Sequence, residues 1–136
     1  MYKQILVPVE VSHKERGGPM IEAAQSLAED GANITLFNVV EDVPSYVMVQ
    51  MPKSALEEAK AAARMELEAI AATAGIEAKV EVRRGRAHTV ILAYANEVGA
   101  DLIIVASHQP ELQDYLLGST AARVVRHATC SVLVTR

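Results

Sequence analysis

Short runs of β-branched and aliphatic residues alternate along the whole chain with longer alanine-rich runs, and this alternation constrains the fold more than any other feature. The segments QILVPVEV (4–11), NITLFNVVE (33–41), ADLIIVAS (100–107) and CSVLVTR (130–136) are near-continuously apolar. Such runs suit strands buried on both faces. EAKVEVRRG (77–85) alternates instead, which places it nearer an edge. Between them, GPMIEAAQSLAEDG (18–31) spaces apolar residues at helical intervals up to Gly31. SALEEAKAAARMELEAIAATAG (54–75) is a long helix, with Ser54 and Glu57 placed as a capping box and Gly75 as its stop. RAHTVILAYANEVG (86–99) is a helix closed by Gly99, and DYLLGSTAARVVRHA (114–128) holds the last one. The order β-α-β-α-β-α-β-α-β predicts an α/β fold, an open five-stranded parallel sheet with helices on both faces.

The chain has 136 residues, which predicts one domain spanning 1–136. No repeat or linker suggests a second. With one Phe and no Trp, the core has to be built from Val, Ile, Leu, Ala and Met. A net charge of −4 argues against a polynucleotide partner, which needs a basic face. No run approaches the roughly 18 apolar residues of a membrane span. The start, MYKQILVPVEV, lacks a signal-peptide pattern, so the cytoplasm is the expected location. The lone Cys130 cannot form an intrachain disulfide and reads as a small core hydrophobe.

In such a sheet, ligands bind outside the carboxyl ends of the strands. Three strand ends stand out: Pro8-Val9-Glu10, Val39-Val40-Glu41 and Ala106-Ser107-His108-Gln109, the last leading through Pro110 towards Gly118. Gly118-Ser119-Thr120 opens the final helix. The first amides of a helix have no intrahelical partner and carry partial positive charge. A glycine there lets an anion approach the backbone, and two hydroxyls add donors, so the triplet can cradle a phosphate. The competing reading is structural: Gly118 makes the turn and Ser119 caps the helix. Glu10 can accept from a purine amine or a ribose hydroxyl, or it can cap the segment that follows. The segment 43–52, with Val43, Tyr46, Val47, Met48, Val49 and Met51, is unusually apolar for a connection. It reads as a loop folded over the core edge, a lid or a partner surface. There is no P-loop, nucleophile elbow or histidine pair with metal-ligand spacing, so no catalytic or metal-binding residue is assigned.

YKQILVPVEVS at the start, LIIVASHQP, and YLLGSTAARVVRHATCSVLVTR at the end resemble the universal stress protein family. The loop ASHQPE resembles a subgroup reading A-S-H-x-P-[DE]. The resemblance implies a Rossmann-like doubly wound sheet in the order 3-2-1-4-5. It also implies a homodimer through the last strand, Ser131, Val132, Leu133, Val134 and Thr135. Many members bind ATP through a Gly-x-x-Gly loop that leads to Gly-Ser or Gly-Thr. Here Ala106 and Gln109 stand at the two loop glycines, and Gly118 with Ser119 at the end. Glu10 stands where the family has an aspartate at the adenine end, with Pro8, Val9, Val39 and Val40 around it.

What the resemblance implies is a stress-response protein holding ATP, with or without Mg²⁺, at the carboxyl edge. It would act as a regulatory switch with at most slow hydrolysis. The alternative is a ligand-free dimeric interaction module whose site is closed by Gln109 and the 43–52 segment.

Overall fold

The structure, a computed structural model of the chain, describes residues 1–42, 46, 49–107 and 117–136. The elements run β1 (Tyr2–Pro8), a 3₁₀ turn (Val11–Arg16), α1 (Gly17–Leu27), β2 (Ala28–Val40) and α2 (Ala55–Ala74). They continue through β3 (Lys79–Arg84), α3 (Ala87–Val98), β4 (Leu102–Ala106), α4 (Ser119–His127) and β5 (Ser131–Thr135). The sheet has five strands in the order β3-β2-β1-β4-β5, and every pairing is parallel. This is the doubly wound α/β sheet expected from the alternation of strands and helices.

The strands are apolar on both sides because both sides are covered. Along β1, Ile5 and Val7 face one cluster with Met20, Ile21, Ala63 and Leu67 of α1 and α2. Leu6 faces the other cluster, with Phe37 of β2, Ile91 and Tyr94 of α3, and Ala121 and Val124 of α4. β4 divides in the same way, Leu102 and Ile104 to the first cluster, Ile103 and Val105 to the second. Successive strand residues point to opposite faces, so a run with no polar break is what two covered faces demand.

Three boundaries differ from the sequence expectation. α1 ends at Leu27 instead of Gly31, and β2 begins at Ala28. The register moves from Tyr2↔Ala28 to Gln4↔Asn33, advancing two residues on β1 and five on β2. A bulge around Gly31 therefore absorbs residues whose apolar spacing looked helical. β1 stops at Pro8, and Val11 belongs to the 3₁₀ turn. The Ser54–Glu57 capping box does not form: Ser54 has helical dihedrals and its side chain makes no cap bond. Its backbone carbonyl accepts from the Glu58 amide instead, at 2.9 Å. The expected stop at Gly75 does form. Gly75 adopts φ 67°, and the Ile76 amide reaches back to the Ala71 carbonyl at 3.2 Å, a left-handed closure that favours glycine.

A clasp not anticipated from the sequence fixes the amino edge of the sheet. The Asp101 carboxylate accepts from the backbone amides of Lys3 and Gln4, both at 2.9 Å, and the Asp101 amide donates to the Gln4 carbonyl at 2.9 Å. Partial burial pushes the Asp101 carboxyl up, but those amides outweigh it and hold it below its ordinary value. A depressed carboxylate stabilises the fold above its unfolded pKa of about 3.9 and loses that contribution as pH falls through the lower folded value. Asp101→Ala should therefore cost about 1–2 kcal/mol near neutrality, measured by urea unfolding. The gap to wild type should close as the pH is lowered below 4, roughly the carboxylate range.

Candidate functional site

β1 and β4 are neighbours in the sheet, and here the strand order reverses direction. Their register pairs only Ile5–Leu6 with Leu102–Ile103, although β1 continues to Pro8 and β4 to Ala106. β1 with β2, and β4 with β5, stay paired to their ends. The two halves of the sheet thus part at the carboxyl edge. A crevice at this point is the general ligand position of open α/β sheets.

A cavity of about 780 Å³ lies there. Its floor is made by strand ends: Pro8 and Val9, Phe37 to Val40, and Val105 with Ala106. One wall is the 3₁₀ turn and the α2 face carrying Ala59, Ala62, Ala63 and Glu66. The other wall is made by the starts of α3 (Ala87, Ile91) and α4 (Ser119, Thr120, Ala121). The α2 residues recur at i, i+3, i+4 and i+7, so they share one helix face. Three of the four are alanines, and the short side chains leave the space open.

The floor is held by two short backbone links. The Val9 amide donates to the Phe37 carbonyl at 2.7 Å, and the Asn38 side-chain amide donates to the Val9 carbonyl at 2.7 Å. Asn38 is buried, so its bond is not shared with bulk water. Together with the Val9–Phe37 bond it fixes the path of the chain after Pro8, where pairing with β4 has already ended. Asn38 is a residue the sequence reading missed. Its signal was a lone amide inside an apolar strand, a position that requires a partner. Asn38→Ala should cost about 1–3 kcal/mol, because the Val9 carbonyl is left unpaired. Urea unfolding checks the cost, and amide hydrogen exchange should be fastest-changing at Val9 to Val11.

Of the residues singled out in the sequence, the structure brings Pro8, Val9, Glu10, Val39, Val40, Ala106, Ser119 and Thr120 to this one cavity. Glu10 is exposed and lies beyond the strand, at the head of the 3₁₀ turn. Its carbonyl accepts from the His13 amide at 2.9 Å, but its side chain makes no capping bond to that turn. The capping alternative for Glu10 therefore does not hold. Ser107 is buried, its amide donates to the Thr135 carbonyl at 2.7 Å, and it is not among the described lining residues. His108, Gln109 and Pro110 lie outside the described residues, as do Val43, Val47 and Met48 of the apolar connection. From that connection Tyr46, Val49 and Met51 are exposed and do not line the cavity.

Gly118 immediately precedes α4, with φ −64° and ψ 159°. Any residue adopts this extended geometry, so the backbone path does not demand a glycine. Ser119 is the first residue of the helix and not its cap. The Ala122 amide makes the first intrahelical bond, to the Gly118 carbonyl at 2.9 Å. The amides of Ser119, Thr120 and Ala121 fall ahead of that ladder. Among the described residues, none supplies an acceptor for them, and the first turn has no acidic side chain. These residues face the cavity. Neither part of the structural reading of this triplet, a glycine-dependent turn or a serine cap, is present.

The fold and the crevice together define a doubly wound α/β protein with a ligand-sized cavity at its switch point. The family model described as the universal stress protein family matches residues 1–136, and the chain belongs to that family. It is 31% identical over 142 residues to universal stress protein G of Shigella flexneri, with 100% of both chains covered. It is 28% identical to the universal stress protein UspA from Lactobacillus plantarum, with a TM-score of 0.71 over 99% of this chain and 98% of that one. A universal stress protein solved in complex with cAMP shares the fold at 22% identity, with a TM-score of 0.68 over 99% of this chain and 97% of that one. No described helix is long and apolar enough to cross a membrane.

Proposed function

We propose that this universal stress protein binds an adenine nucleotide, with ATP as the leading ligand, in the cavity at the carboxyl edge of the sheet. Binding acts as a regulatory switch with at most slow hydrolysis. The observation that carries this reading is the uncapped start of α4 facing a cavity of about 780 Å³. Ligand pockets span about 300–1,000 Å³, so a nucleotide fits the volume. The phosphates would sit over the Ser119–Ala121 amides, where the helix dipole favours negative charge. The base would lie on Pro8, Val9, Val39 and Val40, with Glu10 beside it as an acceptor. That a relative of the same fold was solved with cAMP is in keeping with a nucleotide ligand. Among the described residues no three His, Cys, Asp or Glu side chains gather into a metal cage. Mg²⁺ would enter on the phosphates, keeping most of its water.

We also propose that β5, which pairs only with β4 among the described strands, joins a second copy through Ser131–Thr135. An unpaired strand edge is a template for such pairing. Light scattering after size exclusion tests this; a monomer at tens of micromolar would remove it.

Isothermal titration with ATP tests the nucleotide reading. Saturable binding is expected, and Gly118→Val should weaken it tenfold or more. A Cβ branch at 118 blocks the approach to the first amides, each worth about 1.5–3 kcal/mol towards a charged group. Wild-type affinity retained in that variant would contradict the cradle. No saturable binding by the wild type would favour a ligand-free interaction module.

A further inference from the structure

We propose that the outer edge of β3 is a docking strand for the same edge of a second copy of this chain, and that Arg64 of α2 holds it closed. This edge lies at the opposite end of the strand order from β5, and no β3 residue lines the nucleotide cavity.

Among the described strands β3 pairs only with β2. The Gly85 amide, just past the strand, donates to the Val40 carbonyl of β2 at 3.0 Å. The backbone groups of successive strand residues point to alternate sides. Lys79, Glu81 and Arg83 therefore turn theirs to β2, and Val80, Val82 and Arg84 turn theirs outwards. The side chains alternate between the faces in the same way. Val80 and Val82 join the cluster under α2, which leaves Glu81 and Arg83 on the face of α3, where Arg83 lies 4.9 Å from the Tyr94 ring centre.

A row of outward backbone groups is a template for another strand. Arg64 covers it. Its Nη1 donates to the Val80 carbonyl at 3.1 Å, and its Nη2 lies 3.8 Å from Glu81 Oε1. Glu81 is on the face opposite α2, so the guanidinium bends round the edge to reach it. The chain of charges continues through Arg83, whose Nη2 lies 3.7 Å from Glu81 Oε2 and 2.9 Å from Glu97 Oε2 on α3. The helices on the two faces are thus linked across the strand. Exposed ion pairs of this kind add little to stability. Their consequence is for what can reach the edge.

The occupant that fits is a second β3 running antiparallel. The outward groups belong to the even-numbered residues, so even positions must face even ones. Centred on Val82, the pairing sets Val80 against the second copy's Arg84 and Glu81 against the second copy's Arg83, opposite charges on both sides of the twofold axis. Centred on Glu81 instead, it sets Glu81 against its own copy and Lys79 against Arg83, like charges throughout. The favoured register needs the Val80 carbonyl as the acceptor for the second copy's Arg84 amide. That carbonyl is the group Arg64 occupies.

Light scattering after size exclusion, over a series of protein concentrations, tests the closure, with amide hydrogen exchange to locate the contact. Arg64→Met keeps the stem of the side chain and removes the guanidinium. Its mass should rise with concentration to about twice that of the wild type or more, because a twofold edge contact joins two wild-type particles. Exchange at the outward amides of Val80, Val82 and Arg84 should be fast in the wild type and slow in the larger species. Lys53→Met makes the same change of charge at an exposed position ahead of α2 and should keep the wild-type mass. An Arg64→Met variant that keeps the wild-type mass would overturn the closure. So would growth without slowed exchange at those three amides, equal growth of Lys53→Met, or amides already slow in the wild type.

Discussion

In a parallel sheet every crossover helix starts at the same edge, so unpaired amides and helix dipoles collect at the ends of the strands. That geometric fact governs this molecule. The start of α4 could have been closed by a serine cap or a carboxylate in its first turn. Instead the helix opens with Gly118 in an extended conformation, and the amides of Ser119, Thr120 and Ala121 face an open crevice. Donors that open onto a crevice bond to water when no ligand is present, and an arriving anion exchanges those bonds for charge-assisted ones.

The two edges of the sheet are built for different tasks. At the amino edge Asp101 ties β1 to β4 through both strands' backbones. At the carboxyl edge the same two strands part after Leu6 and Ile103. Tight pairing below and separation above make the crevice a consequence of the sheet's own register. Asn38 holds the chain beyond Pro8 at the point where ladder bonds to β4 have ended. On α2, alanines at the cavity-facing positions preserve the space that larger apolar residues would occupy.

The architecture was legible because its cause is local and repeated. Strands buried on both faces must be continuously apolar, and QILVPVEV and ADLIIVAS could be little else. The bulge near Gly31 was not legible, since AQSLAEDG carries helical spacing and only the pairing with β1 pulls it into β2. Ser54 and Glu57 had the right spacing for a capping box, but local spacing does not set the dihedrals of Ser54. At the site, the α4 triplet and the β1 and β2 ends were found from strand–helix order. Asn38 and the Ala59–Glu66 face were not, because their roles depend on which element lies opposite. Ser107 sits at the right strand end yet points its amide to β5, a pairing that the sequence near residue 107 does not encode.

The claim on which the rest turns is that the first amides of α4 hold the ligand's negative charge. Amide NMR during a titration reads those groups one by one. With ATP, the Ser119, Thr120 and Ala121 resonances should move downfield and saturate together, while adenosine leaves them in place. Saturable ATP binding with those three resonances unmoved would contradict the account.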